Sequence, residues 1–468
     1  MKSLLVPERP ILSRDEMFAL AKKMLSMATA TDVDVYIIHT ARTVTRLANG
    51  QVLTSDDGDE VQIGLYTAYG NRIGVRVDTN QIDDTALREI VQRCEAISRE
   101  QIGGEDRFSD QNNFQDTYVP VHLWHDATIK AMRESRETVL PGVLKRVAAA
   151  GMQAAGFVGF MAKAVAFMSK EKIQSYYEET DSEITVSART PDGKSSGWAG
   201  QAARDWSKVD YAAVAARSID IAKQWVGAQA LEPGRRTAIL TSEAVAQLFR
   251  YFAQEYSGGM TVDWENTIFT KPRHTAHYNE RMFDPRITMS VDPADPDGGF
   301  APFFWRGYAN PATTLTKDGV LKDLAFDFYG AMIHGRKYSD EPSGLRVSGG
   351  TTSVEEMISK CREGIFVNRF SGVDMVDMKS MMLSGVTRDG CFLVKDGKIT
   401  KPVKNFRFLE SPAFMLNKLV ALGATRRAAY GYTPPGVGEF YIDWPRRPII
   451  VPPMMVNDFN FSALADAV

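Results

Sequence analysis

Residues Arg235–Phe252 read RRTAILTSEAVAQLFRYF. Arg236–Thr241 is a short run with the look of a strand. Ser242 stands next as a helix cap, and Val245, Leu248, Phe249 and Phe252 then recur at helical spacing on one face. Just upstream, Leu231-Glu232-Pro233-Gly234 breaks the chain. The reading is a strand–helix unit that opens a second domain. Residues 1–230 form one expected domain and 231–468 the other.

Working back from that break, Tyr211–Trp225 is amphipathic and helical. Paired strands are expected over about 152–190, ending at the turn Thr190-Pro191-Asp192-Gly193. A helix is expected from about Asp126 to Thr138, and polar, irregular residues 100–125 read as a connection. Ser13-Arg14-Asp15-Glu16 is a capping box that starts a helix to about Ala28. Val33–His39 alternates as a strand. Thr43–Leu47 and Val52–Ser55 flank Ala48-Asn49-Gly50, a hairpin signal. Val61–Ala68 and Arg72–Val77 flank Tyr69-Gly70-Asn71, a second hairpin. Asp84 is expected to cap a helix through about Ile97. This is an α+β pattern.

Downstream of the break, strand formers, glycine and proline dominate. Lys317-Asp318-Gly319, Thr387-Arg388-Asp389-Gly390 and Lys395-Asp396-Gly397 read as turns between strands. Ser353–Cys361 reads as a short helix capped by Ser353, and Pro412–Leu422 as another. Phe303-Phe304-Trp305 and Pro452-Pro453-Met454-Met455 are candidate apolar surface. With strand edges that need cover, they predict a dimer or larger.

Bulk properties exclude several classes. A net charge of −3 gives no basic footprint for nucleic acid. Three scattered cysteines, Cys94, Cys361 and Cys391, form no disulfide framework or zinc-finger spacing, which favours a reducing compartment. MKSLLVPERPILSRDE lacks a signal-peptide core, so a cytoplasmic location is expected. Val147–Met168 is the one stretch resembling a membrane span. It is mostly Ala and Gly, and Gln153 and Lys163 interrupt it, so paired core strands are the preferred reading.

Local chemistry is sparse. His274-x-x-His277 has metal-ligand character but sits among turn residues, so surface histidines are preferred. Asp284, Asp292, Asp295 and Asp297 match no calcium loop and read as turn material. Cys391 reads as a buried small hydrophobe. Residues 434–440, PPGVGEF, make no phosphate loop. Trp305-Arg306 and Trp444-Pro445-Arg446-Arg447 read as ordinary surface arginine sites.

Several segments, taken in order, resemble the TldD/PmbA (TldD/TldE) metalloprotease family, long labelled modulators of DNA gyrase. They are Thr45–Val52, Leu231–Gly234, Ser343–Gly350, the EEMISKCREGIFV run to Val367, Ser384–Phe408, Asn417–Gly423 and the closing PPMMVNDFNF. The resemblance implies an N-terminal α+β domain and a C-terminal domain of curved mixed β-sheet with peripheral helices. The family's TldD kind carries His-Glu-x-x-x-His on the first helix of its C-terminal domain and a Cys near the C-terminus, together holding zinc. Those helix positions fall here on Ser242, Glu243 and Gln247, and no cysteine follows Cys391. A hydroxyl and an amide are poor zinc ligands. Only Glu243 remains, and without a metal-bound water it has nothing to deprotonate.

The expectation is therefore a PmbA/TldE-like, non-catalytic subunit that holds no metal. It would help enclose the cleavage chamber of a peptidase whose zinc sits in a TldD-like partner. A homodimer is the alternative assembly. The expected substrates are unfolded peptides bound as added strands, with Ser348, Gly349 and Gly350 as candidate peptide contacts or a plain loop. Two rivals stand beside this. One is a self-standing peptidase with an altered metal site around Glu243, His274 or the aspartates. The other is a peptide-binding or regulatory protein of the gyrase-modulator type.

Overall fold

The computed structural model describes residues 8–70, 74–101, 118–170, 173–256, 262–304, 307–326, 328–339, 344–429 and 448–465. Trp305-Arg306, Asn71, Ser343, PPGVGEF and Trp444–Arg447 lie outside the described residues.

Ser13 caps the first helix as its sequence requires. Its hydroxyl accepts the Glu16 N–H at 3.3 Å, and Glu16 Oε2 accepts the Ser13 N–H at 2.7 Å. Helix α1 (Arg14–Met27) leads into strands β1 (Asp32–Ala48), β2 (Gln51–Ala68) and β3 (Val75–Thr79). Helices α2 (Asp84–Glu100) and α3 (Asp126–Ala149) follow, then β4 (Gln153–Ser169), β5 (Gln174–Arg189), β6 (Ser196–Ala203) and α4 (Tyr211–Gln224). The six strands form one antiparallel sheet in the order β3-β2-β1-β4-β5-β6. Residues from all four helices share one core with one face of it, including Phe18, Ile90, Val143 and Ile219 with Ile37, Phe160 and Val186.

Asn49 and Gly50 make the hairpin turn with φ of 51° and 74°, the left-handed pair that a two-residue connection demands. The strands beside it are longer than the apolar pattern implies. Val33–His39 and Thr43–Leu47 are one strand. Polar Ser55–Glu60 belongs to the next one, because backbone pairing to Thr45–Thr40 continues whatever the side chains are. Two helix ends also shift. Asp83, not Asp84, caps α2, accepting the Thr85 and Ala86 N–H groups. Helix α3 runs on past Thr138 through Pro141, since Val139, Leu140, Val143 and Val147 extend its buried stripe. Residues 153–168 lie in β4, and among the described residues no helix is long and apolar enough to cross a membrane.

The second half begins with β7 (Gly234–Leu240) and α5 (Ser242–Glu255). Strands β8 (Thr270–Lys271) and β9 (Thr275–Ala276) pair by themselves. Strands β10 (Met289–Val291), β11 (Thr313–Lys317), β12 (Val320–Leu321) and β13 (Leu345–Val347) follow. Then come β14 (Glu363–Asp377), β15 (Met382–Lys395), β16 (Lys398–Pro402), β17 (Phe406–Glu410), β18 (Leu419–Leu422), β19 (Arg426–Arg427), β20 (Ile449–Val451) and β21 (Met454–Leu464).

One mixed sheet runs β12-β11-β10-β13-β20-β19. Another runs β14-β7-β21-β17-β15-β16, with β18 added on β21. Pairing of β14 with β15 turns part of that path into a closed ring of five strands. Phe370, Phe406, Phe408, Phe459 and Phe461 from three of its strands are buried together, with centroids 4.5 Å apart for Phe370–Phe408 and 5.0 Å for Phe459–Phe461. The fold is α+β, with curved mixed sheet in its second half.

Asp318-Gly319 and Asp396-Gly397 are hairpin turns at positive φ, and Ser353 caps the helix Val354–Lys360. Three expectations need correction. Thr387–Gly390 is not a turn: it lies inside β15 as a bulge, with Asp389 at φ 52° and the β14 register slipping between Val367 and Arg369. The helix at Pro412 ends at Met415, and Leu419–Leu422 is strand, because it pairs with Met454–Val456. Of the candidate apolar surface, Phe303 and Pro452–Met455 are core and Phe304 is half-buried. Phe303 packs on Val165, Phe167 and Tyr177, and Pro452–Met455 are buried, Met454 and Met455 pairing with Leu240 and Ile239.

Candidate functional site

Helix α5 follows β7 after a single residue. That residue, Thr241, is the cap, one position before the expected Ser242. Its Oγ1 accepts the Ala244 N–H at 3.2 Å and donates to Asn368 O at 2.5 Å. Ser242 and Glu243 are thus the first two helical residues, and both are buried. Gln247 lies one turn on and is half-buried.

Glu243 is held by a residue 183 positions away. Arg426 on β19 places Nη2 2.6 Å from Glu243 Oε2. Glu243 Oε1 and Ser242 Oγ are buried without a hydrogen-bond partner. The first turn of α5 therefore carries a carboxylate, a hydroxyl and a guanidinium where the sequence expectation weighed a metal set. Among the described residues no three His, Cys, Asp or Glu side chains converge on one ion position. A hydroxyl, an amide and a carboxylate already bound to a cation do not suit zinc.

The next residue faces the other way, as strand neighbours must. Arg427 reaches back to the first sheet and binds both oxygens of Asp181 on β5, at 2.7 and 2.8 Å. Side chains of this pair are 9% and 5% exposed. A second seam contact uses the bulge in β15. Asp389 accepts from Ser196 Oγ on β6 at 2.5 Å and from Arg369 Nε at 2.7 Å. The bulge gives that buried carboxylate its position between the halves.

Ser348 Oγ donates to Arg286 O at 2.7 Å and accepts from Thr288 N–H at 2.8 Å. The close backbone approach at its glycines is to the same chain: Gly350 N–H donates to Gly423 O at 2.7 Å, and a Cβ on Gly349 would lie 2.4 Å from Thr425 Oγ1. Ser348–Gly350 therefore packs on Leu422–Thr425, the connection that delivers Arg426 to Glu243. The two sequence-predicted site segments meet on one loop.

The other candidates stay apart from it. His274 and His277 bind Asp263 O and Glu280, the latter at 2.7 Å. Asp284 pairs with Arg286, Asp292 accepts the Ala294 N–H, and Asp295 and Asp297 share Arg346. Cys391 is fully buried, and burial pushes its thiol up to about 12, which suits an inert core residue. Arg426 and Asp181 were missed, and no local signal marks partners so far apart.

Comparison with known families decides the relationship. The model of the PmbA/TldA metallopeptidase C-terminal domain matches residues 233–463, and that of PmbA/TldA metallopeptidase domain 1 matches residues 33–98. The chain belongs to the TldD/PmbA family. Solved structures share the TldD/PmbA fold over nearly the whole length. TldE from Thermococcus kodakarensis aligns with TM-score 0.77 at 13% identity, covering 95% of this chain and 99% of that one. Candidate modulators of DNA gyrase from Thermotoga maritima and Bacteroides thetaiotaomicron align with TM-scores 0.76 and 0.75 at 16% and 15% identity. Both cover 96% of this chain, and 98% and 99% of theirs. No curated protein sequence matches this TldD/PmbA chain.

The Glu243–Arg426 pair should respond unequally to truncation. Arg426 is 41% exposed on its side chain and Glu243 only 5%. Glu243→Ala frees a guanidinium that water can reach, at a cost of about 1 kcal/mol. Arg426→Ala leaves a buried carboxylate alone, at a cost of about 2–3 kcal/mol. Urea unfolding of both variants checks the order, and equal costs would contradict it.

Proposed function

We propose that this chain is a non-catalytic, TldE/PmbA-like subunit of a TldD/TldE-type metallopeptidase acting on unfolded peptides in the cytoplasm. The observation that carries the reading is the first turn of α5. Ser242 and Gln247 offer no zinc-binding chemistry, and Glu243 is bound by Arg426. A zinc-bearing TldD-like subunit is the proposed partner, with a homodimer as the assembly formed without it. The proposed division is a domain of residues 1–230 beside one of 231–468. Any peptide contact at Ser348–Gly350 falls on the exposed side of Gly349, since Gly350 faces Leu422 and Gly423 of this chain.

The test uses the purified full chain. Elemental analysis after dialysis should find no stoichiometric zinc, and the chain alone should cleave no peptide. Adding a zinc-bearing TldD-like subunit should give a larger species by light scattering and peptide hydrolysis in the mixture. About one zinc per chain, or metal-dependent hydrolysis by this chain that Glu243→Ala abolishes, would overturn the reading. So would the absence of any complex with such a subunit.

A further inference from the structure

Strand β2 is covered on one side only. Residues Gln51–Glu60 pair with Ala48–Thr40 of β1, whereas β3 pairs only with Ile63–Thr67. Among the described residues no strand pairs with the outer edge of β2 before Ile63. Every residue from Gln51 to Glu60 except Gly58 is exposed, so both faces are open, and among the described residues the edge is too. At strand rise this edge runs for roughly 33 Å. It also carries a dense charge, with four carboxylates in five residues: Asp56, Asp57, Asp59 and Glu60. Strand alternation puts Asp57 and Asp59 on one face and Asp56 and Glu60 on the other. Arg42 lies 3.9 Å from Asp56, and His39 lies 2.6 Å from Asp59.

An open edge is a template for strand addition, and charge on it decides what can add. A second copy pairing antiparallel about Gly58 of this same edge would set carboxylates against carboxylates, which opposes that register. An acidic incoming strand meets the same repulsion. A basic strand finds a carboxylate on whichever face its cations point. We propose that the outer edge of β2 from Gln51 to Glu60 docks an extended, lysine- or arginine-bearing peptide segment by strand addition. The inference stands apart from the subunit reading above, because it needs neither a zinc-bearing partner nor peptide cleavage.

The probe is a fluorescent, end-capped nine-residue peptide alternating Lys and Thr, titrated with the full chain and followed by anisotropy. Binding should weaken as salt rises. A Glu-for-Lys peptide should not bind. A Lys peptide with two central Thr replaced by Pro keeps its charge but cannot extend a ladder, and it should bind at least tenfold more weakly. Asp57→Lys with Glu60→Lys should weaken the original peptide at least tenfold, with the melting curve unchanged because both side chains are exposed. No binding of the Lys peptide overturns the proposal, as does equal binding of the Pro peptide or undiminished binding by the charge-reversed chain. A concentration-dependent mass that vanishes in the charge-reversed chain would mean a second copy fills the edge, and would overturn it too.

Discussion

Arg427→Ala should lower the unfolding free energy by about 3–5 kcal/mol, a large fraction of the stability of an ordinary domain. Arg427 and Asp181 are both nearly inaccessible, and the guanidinium binds both carboxylate oxygens. Truncating the arginine leaves Asp181 buried with one remaining donor among the described residues, the Ser182 N–H at 2.7 Å. A buried charge stripped of its partner is what makes such losses large; the net worth of the intact pair is much smaller. Replacing both residues with apolar groups, as in Asp181→Leu with Arg427→Met, should therefore recover most of the loss. Guanidinium denaturation of the single and double variants measures it. A double variant as unstable as Arg427→Ala would show that packing, and not the orphaned carboxylate, sets the cost.

Glu255→Gln should stabilise the chain at alkaline pH and change little at acidic pH. Glu255 ends α5 and is 1% exposed, and neither of its oxygens makes a well-formed hydrogen bond. Burial, with Asp377 adding repulsion, pushes its carboxyl up to about 8 against the smaller opposing pull of the Ile268 N–H. An unfolded glutamate titrates near 4.3. The folded chain thus keeps a proton that the unfolded chain has already released. The stability from that difference is full below about pH 4.3 and is lost as pH rises through 8. Glutamine cannot ionise and escapes the loss. At pH 9 the variant should exceed the parent by on the order of 5 kcal/mol, and at pH 5 by only about 1. Urea melts at the two values decide it. No gain at pH 9 would mean that Glu255 ionises at little cost.

Local grammar in this sequence was readable where one or two residues fix a backbone state. Asn49-Gly50, Asp318-Gly319 and Asp396-Gly397 are turns because left-handed φ suits those residues. Ser13 and Ser353 are caps because a hydroxyl reaches the N–H three residues on. Thr387–Gly390 carries the same letters and is a bulge, since flanking strands hold it in the ladder. Asp56–Glu60 is polar and lies outside the two strands expected around it, and it is strand because β1 supplies its partners. At the site, the loss of ligand chemistry at Ser242 and Gln247 could be read directly. The cation on Glu243 could not, because pairing across 183 positions leaves no periodic trace in either segment.

The ring of five strands has a consequence for how the chain is made. Its β7 neighbours are β14 and β21, so the strand nearest the start of this half lies against the one nearest its end, Leu240 beside Met454. During synthesis β7 emerges some two hundred residues before that neighbour. At about 5–20 residues per second the wait is on the order of ten seconds or more. Throughout it, Ala238, Ile239 and Leu240, all fully buried in the finished protein, have one edge with nothing to bond. Ring closure is thus a late, high-contact-order event. A nascent chain halted after β20 would leave β7, β17 and β18 without the strand they pair with, and such edges are ready sites for chaperone capture or misassociation.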